Sequence, residues 1–488
     1  MKVAMISPEI VPFAKTGGLA DVVGTLSTAL ASLGHELTLL MPAYRAVFQG
    51  EFALEDTGMH VSPPPGNRHE DARVLRAPAA ANVTVLCIRA DRYFDRDFLY
   101  GTAAEDYPDN AERFAFFCRA ALEILRRQPV EVLHCHDWQS APAIIFLKAQ
   151  PERYGALRNA KTVFTVHNLG FQGIFPSVQW SLLDLDWSLF TPRHLEFYGN
   201  INFLKGALVL ADKITTVSPS YAREILEPEQ GFGLEGVLRE RERDIIGILN
   251  GVDYSQWSPQ NDRHIAKTYG ANNLAAKQAC KKALQRSLAL PQRAEVPIIG
   301  MISRLTSQKG LDLVEVILDE LMQSDLQMTI LGTGEARYEA LFTAAAARYP
   351  DKIAARIGFD EALAHQIEAG ADFFLMPSRY EPCGLNQMFS LKYGTIPIVR
   401  TVGGLKDTVE DYDEAQGSGT GFVFAPYEPQ ALSAAIDRAL RAFRNKRAWT
   451  ALRRRAMAKD FSWDRSAALY AELYGTLLSG QDQPNRGP

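Results

Sequence analysis

Short apolar runs that end in polar residues recur along the whole chain. KVAMIS at 2–7 is the first; the loop PEIVPFAKTGG follows, then the helix-period run LADVVGTLSTALASLG, then ELTLLMP. Strand, helix, strand in this order predicts a parallel sheet with right-handed crossovers. TVLCI at 84–88, VEVLHCHD at 130–137, TVFTVHN at 162–168, KITTVS at 213–218 and IIGILNGVD at 245–253 continue the series. Near residue 296 the pattern restarts. VPIIGMISRL reads as a strand, TSQKG as a loop, LDLVEVILDELMQS as a helix and QMTILGTG as the next strand. Further strands are expected at 353–357, 372–376 and 396–400.

This doubled pattern predicts an α/β protein of two doubly wound, Rossmann-like lobes, with ligands at the carboxyl ends of the strands. The first lobe is expected over 1–252 and the second over 263–463. The segment 253–262, with Trp257 and Pro259, reads as the crossing between them. A helix over 464–478 is expected to lean back on the first lobe. The polar tail 479–488 and the tip at 63–71 are expected to be disordered. A length of 488 residues suits two or three domains.

Composition narrows the class. Apolar residues make up 47% and charged residues 22%, as in a globular protein. A net charge of −5 argues against nucleic acid and against a polybasic membrane surface. The five cysteines, Cys87, Cys118, Cys135, Cys280 and Cys383, have no CxxC spacing, which predicts reduced thiols, no zinc site and a cytoplasmic setting. The N-terminal apolar run is too short for a signal-peptide core, and no stretch of about 18 apolar residues exists to span a membrane.

Four segments carry candidate chemistry. Lys15-Thr16-Gly17-Gly18 lies between the first strand and the first helix. Its amides and the Lys15 charge suit an anion at a helix N-terminus; a tight turn with a solvated Lys is the plainer reading. It is neither GxGxxG nor a Walker loop. Arg304 and Lys309, in SRLTSQKG, hold the matching place in the second lobe and can converge on a diphosphate, the Arg as a fork and the Lys as a point charge. Glu381, in SRYEPCGLNQ, sits before a proline and is held on a turn, where a carboxylate can bind sugar hydroxyls or offset developing positive charge; a helix cap is the alternative. His134, His136 and Asp137 end one strand, and His167 and Asn168 end another. Without a carboxylate-rich set beside them they read as sugar contacts or hydrogen-bonded core histidines rather than metal ligands. Phe114, Phe116 and Phe117 read as core, and Arg453-Arg454-Arg455 as a solvated helix face.

KTGGLADV, HCHDWQ, TVHNLGFQG, LNGVD, SRLTSQKG and SRYEPCGLNQ, followed by Gly403-Gly404-Leu405 and Asp407-Thr408-Val409, occur in an order and spacing that resembles the bacterial glycogen synthase and plant starch synthase family. The resemblance runs from Val3 to about Trp463. It implies the GT-B fold with the active site in the cleft between lobes, ADP-glucose as donor, an α-1,4-glucan as acceptor, and retention at the anomeric carbon. It implies no metal and no pyridoxal phosphate. By motif position, Lys15, Arg304 and Lys309 would serve the diphosphate, and Asp137, His167 and Glu381 would surround the glucose. Gly17, Gly18, Asn168 and Asn250 would line the cleft, and Cys383, Gly384 and Leu385 would place backbone groups near sugar and phosphate. The position eight residues after Glu381, a ribose-binding Glu in many retaining GT-B enzymes, is Phe389 here. Phe359 stands where some relatives stack a Tyr on adenine. A UDP-glucose-dependent transferase, a phosphorylase-type enzyme and a catalytically silent glycan-binding scaffold are the rival readings. Oligomeric state is not legible.

Overall fold

A computed structural model describes residues 1–50, 52–63, 70–102 and 105–480. The expected disorder over 64–69 and 481–488 falls outside these residues, while Ser479 closes the last helix. The chain divides into two compact units, Met1–Gly251 with Trp463–Pro488, and Val252–Ser462.

The first unit is built on β1 (Lys2–Ile6), β2 (Glu36–Pro42), β3 (Glu55–Val61), β4 (Ala72–Ala77), β5 (Val83–Arg89), β6 (Val132–His136) and β7 (Lys161–Val166). β8 (Ile174–Pro176), β9 (Glu196–Phe197) and β10 (Asn200–Asn202) make a small antiparallel sheet, and β11 (Lys213–Thr216) and β12 (Ile245–Gly247) return to the main one. The main sheet runs β12-β11-β7-β6-β1-β2-β5-β4-β3. It is parallel from β12 to β5, and β4 and β3 extend it antiparallel. The central strands read as continuous apolar runs because helices cover both faces. β6 is buried at all five positions. Phe114, Phe116 and Phe117, on the helix Asn110–Arg127, are buried as expected.

Strand order reverses at β1, which has β2 on one side and β6 on the other. Loops leaving two such strands diverge to opposite faces and open a crevice at their carboxyl ends. The loop after β1 carries Lys15–Gly18, and β6 ends at His136, next to Asp137. The last helix, Trp463–Ser479, packs on the first, Gly18–Ser32, within this unit.

The second unit repeats the plan with β13 (Ile298–Ile302), β14 (Gln327–Gly332), β15 (Ile353–Ile357), β16 (Phe373–Met376), β17 (Ile396–Arg400) and β18 (Phe422–Phe424). All pairings are parallel, in the order β15-β14-β13-β16-β17-β18. The reversal here lies between β13 and β16, whose following loops carry Arg304 and Glu381. The strands expected at 353–357 and 396–400 match residue for residue.

Two expectations need correction. Residues 253–262, read as a crossing, pack inside the second unit. The Trp257 ring is sandwiched between His365 (3.7 Å, 11°) and Phe389 (4.1 Å, 1°). Asp262 accepts hydrogen bonds from His365 Nδ1 (2.8 Å) and Tyr393 Oη (2.5 Å). The chain passes between units at Gly251–Val252 and again at Ser462–Trp463. The Arg453–Arg455 run is a solvated face only at Arg454, which is exposed. On the helix Lys446–Met457, Trp449, Leu452, Arg453 and Ala456 share the buried stripe. Arg453 Nε donates to the Gly394 carbonyl (3.1 Å) and Arg455 Nε to that of Gly419 (3.1 Å).

Candidate functional site

At the reversal point of the first unit the Gly-Gly loop is already folded around an internal anion. Glu9 is buried. One of its oxygens accepts from the Thr16 amide (2.5 Å) and the Gly17 amide (3.4 Å); the other accepts from Thr16 Oγ1 (2.6 Å) and Tyr100 Oη (2.5 Å). Sequence reasoning passed over Glu9. The signal was there: an acidic residue within the apolar stretch between strand and loop, where burial demands a partner. Lys15 pairs with Asp21 (2.8 Å) on the first turn of the helix. Gly17 caps that helix in an extended conformation, followed by Gly18 as its first residue.

Asp137 begins the helix Asp137–Ala149 with φ of 57°, in the left-handed region that costs a non-glycine residue about 1–2 kcal/mol. What holds it there is specific: Oδ1 accepts from the His167 amide (2.7 Å), joining the ends of β6 and β7. Burial pushes the Asp137 carboxyl up to about 7, against the lowering effect of the His167 and Asn168 amides and with a further push from Glu9. The His167 ring meets His136 Nδ1 through Nε2 (3.1 Å), and burial lowers it to about 3. Asn168 spends its side-chain oxygen on the Gly170 amide (3.0 Å). Asn250 is buried, and its Oδ1 has no hydrogen-bond partner among the described residues.

His134 and His136 lie one behind the other on β6, ring centroids 4.1 Å apart and both fully buried. His134 bonds Tyr474 Oη through Nδ1 (2.7 Å) and Thr165 Oγ1 through Nε2 (2.5 Å). This histidine is a core residue that ties the last helix to the sheet. Among the described residues no group of three His, Cys, Asp or Glu side chains is placed to hold a metal ion.

In the second unit the two motifs read separately from sequence are in direct contact. Lys309 Nζ lies 2.6 Å from Glu381 Oε2, and Ser378 Oγ donates to the same oxygen (2.9 Å). The loops are stitched further by Gln308: its carbonyl accepts from the Arg379 amide (2.9 Å) and its Nε2 donates to the Tyr380 carbonyl (3.3 Å). Glu381 is buried, and its carbonyl accepts from the Gly404 amide (3.1 Å). Gly403 has φ of 44°, and a Cβ there would stand 2.0 Å from the Glu381 carbonyl oxygen. The Gly403-Gly404 pair is therefore what lets the helix Gly403–Thr408 press against the Glu381 turn. Arg304 is exposed beside Gln308 Oε1 (3.4 Å). Cys383 is buried, Gly384 turns the chain at φ of 70°, and Leu385 precedes the helix Asn386–Tyr393. Phe389 packs on Trp257 as a core residue, which is what occupies the place of the missing Glu. Phe359 stands 83% exposed after β15, an aromatic face open to a planar ligand.

Each unit thus keeps its polar groups at a strand-order reversal: in the first a glycine-rich loop and an Asp–His pair, in the second a basic loop and a carboxylate. Two such units make the two-domain GT-B glycosyltransferase fold, and the enzyme is a hexosyltransferase. Residues 2–240 match the starch synthase catalytic domain, and residues 287–451 match glycosyl transferases group 1. Glycogen synthase from Anaeromyxobacter sp. (strain Fw109-5) is 49% identical over 98% of this chain and 100% of its own length. Glycogen synthase from Koribacter versatilis is 47% identical over 97% and 98%. Among solved structures, the catalytic domain of starch synthase IV from Arabidopsis thaliana, bound to ADP and acarbose, superposes with a TM-score of 0.91 at 32% identity, covering 98% of this chain and 99% of that one. Sucrose-phosphate synthase from Thermosynechococcus elongatus shares the fold at a TM-score of 0.63 and 18% identity, covering 98% of this chain and 100% of that one. The chain belongs to the glycogen synthase and starch synthase family. No helix among the described residues is long and apolar enough to cross a membrane.

Proposed function

We propose that this enzyme transfers glucose from ADP-glucose to the non-reducing end of an α-1,4-glucan, with retention of configuration and release of ADP. The observation that carries the reading is the Lys309–Glu381–Ser378 cluster beside Arg304 at the strand-order reversal of the second unit. It offers adjacent positive and negative groups, as a reaction that separates a diphosphate from a sugar cation requires. In the second unit Arg304 and Lys309 are assigned to the leaving diphosphate; in the first, Lys15 and the Gly17–Gly18 loop are assigned to the same anionic group. Glu381 balances positive charge as it builds on the glucose ring. Asp137, His167, Asn168 and Asn250 of the first unit are assigned to the sugar, as are the backbone groups of Cys383, Gly384 and Leu385 of the second. Phe359 stacks on the base. The acceptor 4-hydroxyl attacks from the face the phosphate leaves, and the phosphate oxygen takes its proton. No side-chain base is needed on this route.

The decisive experiment compares ADP release from ADP-glucose with UDP release from UDP-glucose, with and without glycogen, before and after exhaustive chelation. Glycogen-dependent ADP release that survives chelation supports the reading. A preference for UDP-glucose overturns the donor assignment, and loss on chelation with rescue by a divalent ion overturns the metal-free one. Arg304→Lys is expected to lower kcat/KM for the donor by roughly ten- to a hundredfold, the scale of losing charge-assisted bonds when a fork becomes a point charge. An effect confined to glucan affinity would contradict the diphosphate role.

A further inference from the structure

The last residue of β6 is a histidine with only one of its two ring nitrogens satisfied. His136 is fully buried, and its Nδ1 lies 3.1 Å from Nε2 of His167, the residue after β7. The two rings are tilted by 37°, with centroids 5.4 Å apart. The other nitrogen of His136, Nε2, is buried and has no hydrogen-bond partner among the described residues. The neighbouring ring, His134, spends both its nitrogens on Tyr474 and Thr165, so it neither gives His136 a proton nor takes one.

This arrangement decides where the protons sit. Burial holds both rings neutral: it lowers His136 well below its ordinary value, the two other histidines adding to the effect, and His167 to about 3. Each ring therefore carries one proton, and one of the two must donate across the shared contact. If His167 donated from Nε2, the proton of His136 would sit on its own Nε2, a buried N–H with no acceptor. If His136 donates from Nδ1, only a bare lone pair is left there. Among buried backbone groups an N–H without an acceptor is the rarer exception, and a ring N–H is a donor of the same kind. His136 is the donor on this argument, and His167 accepts at Nε2. The His167 proton is then on Nδ1. Unlike His136, His167 is only partly buried, and its Nδ1 makes no hydrogen bond among the described residues.

We propose that His136 is a positioning residue for the transfer: it fixes His167 as the Nδ1–H tautomer, so that His167 gives a hydrogen bond to a hydroxyl oxygen of the donor's glucose. The inference rests on the reading of His167 as a sugar contact. The end of β6 then holds His167 twice, its ring through His136 and its amide through Asp137 Oδ1 (2.7 Å). A hydroxyl has one proton to give and lone pairs that receive. A ring fixed as donor leaves that proton for an acceptor elsewhere and so orients the hydroxyl; a ring free to change tautomer would accept either orientation.

The test uses the full-length chain with His136→Asn and His136→Phe. Asn places an amide N–H at the point of the side chain where His carries Nδ1, whereas Phe keeps a flat ring and removes the donor. Nitrogen–proton correlation spectra of the histidine rings at neutral pH, with His167 assigned by its loss in His167→Ala, should show His167 protonated on Nδ1 and bare at Nε2 in the unsubstituted protein. In His136→Phe the Nε2 resonance should move to that of an unbonded ring nitrogen, and kcat/KM for ADP-glucose should fall roughly tenfold, the scale of one hydrogen bond. His136→Asn should keep kcat/KM within about threefold of the parent, and KM for glycogen should stay within about twofold in both variants. A histidine that only fills space predicts the opposite order, with the smaller Asn the more damaging. Thermal unfolding confirms that each variant is folded. Protonation of His167 on Nε2 in the unsubstituted protein would overturn the proposal without any variant, as would a folded His136→Phe whose kcat/KM matches the parent. The underlying reading fails separately: His167→Ala would then leave kcat and KM for ADP-glucose unaltered while the tautomer stands as stated.

Discussion

Glu381→Gln should lower kcat by about a hundredfold or more while changing KM for the donor only a few-fold, the pattern of an interaction made in the transition state. The structure sharpens why. Glu381 is buried, shares one oxygen between Lys309 and Ser378, and is fixed through its carbonyl by Gly404. Its carboxylate has no freedom to be replaced by a neighbour. Gln keeps the shape and the Ser378 bond but removes the charge, so a loss of turnover is electrostatic and not a collapse of the loop. Because Lys309 is the direct partner, the two residues act as a unit. The Lys309→Ala, Glu381→Gln double variant should be little worse than the more damaged single variant, whereas independent roles would multiply. Steady-state ADP release, with thermal unfolding to confirm that each variant is folded, makes the measurement. A kcat within threefold of the parent in folded Glu381→Gln would remove Glu381 from the chemistry.

The doubly wound architecture was legible because parallel strands buried on both faces leave uninterrupted apolar runs, and the restart at residue 296 shows the second copy. What escaped notice was polar. β3 and β4, at the sheet edge, alternate too weakly to be distinguished from loop, and β8–β10 are two or three residues each. The Arg453 error came from reading three arginines as one surface, although helical spacing puts Arg453 on the stripe of Trp449 and Ala456. The candidate site was legible as motifs but not as contacts. That Lys309 meets Glu381, or that Glu9 holds the Gly-Gly loop, depends on which strands the topology sets side by side. Sequence separations of 72 and 7 residues carry no such information.

The first unit should be acid-labile, losing stability as pH falls from about 6.5 toward 4. The cause lies behind the candidate site. Burial lowers His134 to about 3 and His136 well below its ordinary value, the neighbouring histidines adding to the effect. In the unfolded chain both titrate near 6.5. As pH falls through this value the unfolded state takes up protons on both histidines that burial makes the folded state resist, so stability declines with acidification. Asp137 and His167, at the rim, oppose each other. The Asp137 carboxyl, raised to about 7, takes a proton in the folded state before the unfolded one does, while His167, lowered to about 3, does the reverse. The two buried histidines then contribute up to about 2.7 kcal/mol per pH unit, and His35, lowered by partial burial and by the N-terminal ammonium, adds in the same direction. The groups around them offer no relief: Tyr470 and Tyr474 of the last helix and Thr165 of β7 are neutral, and Tyr474 occupies His134 Nδ1. The second unit should not share this loss. Its buried Glu368, raised to about 8 by burial, is protonated in the folded state and stabilises that unit as pH falls from 8 toward 4.5. Hydrogen exchange at pH 7.5 and 5.5, each corrected for intrinsic rate, separates the two. Protection in β6 and β7 should fall by orders of magnitude while that in β13 and β16 holds, and His134→Gln should reduce the pH dependence by about half. Equal protection of β6 at both pH values would mean that these histidines are not held neutral in the fold.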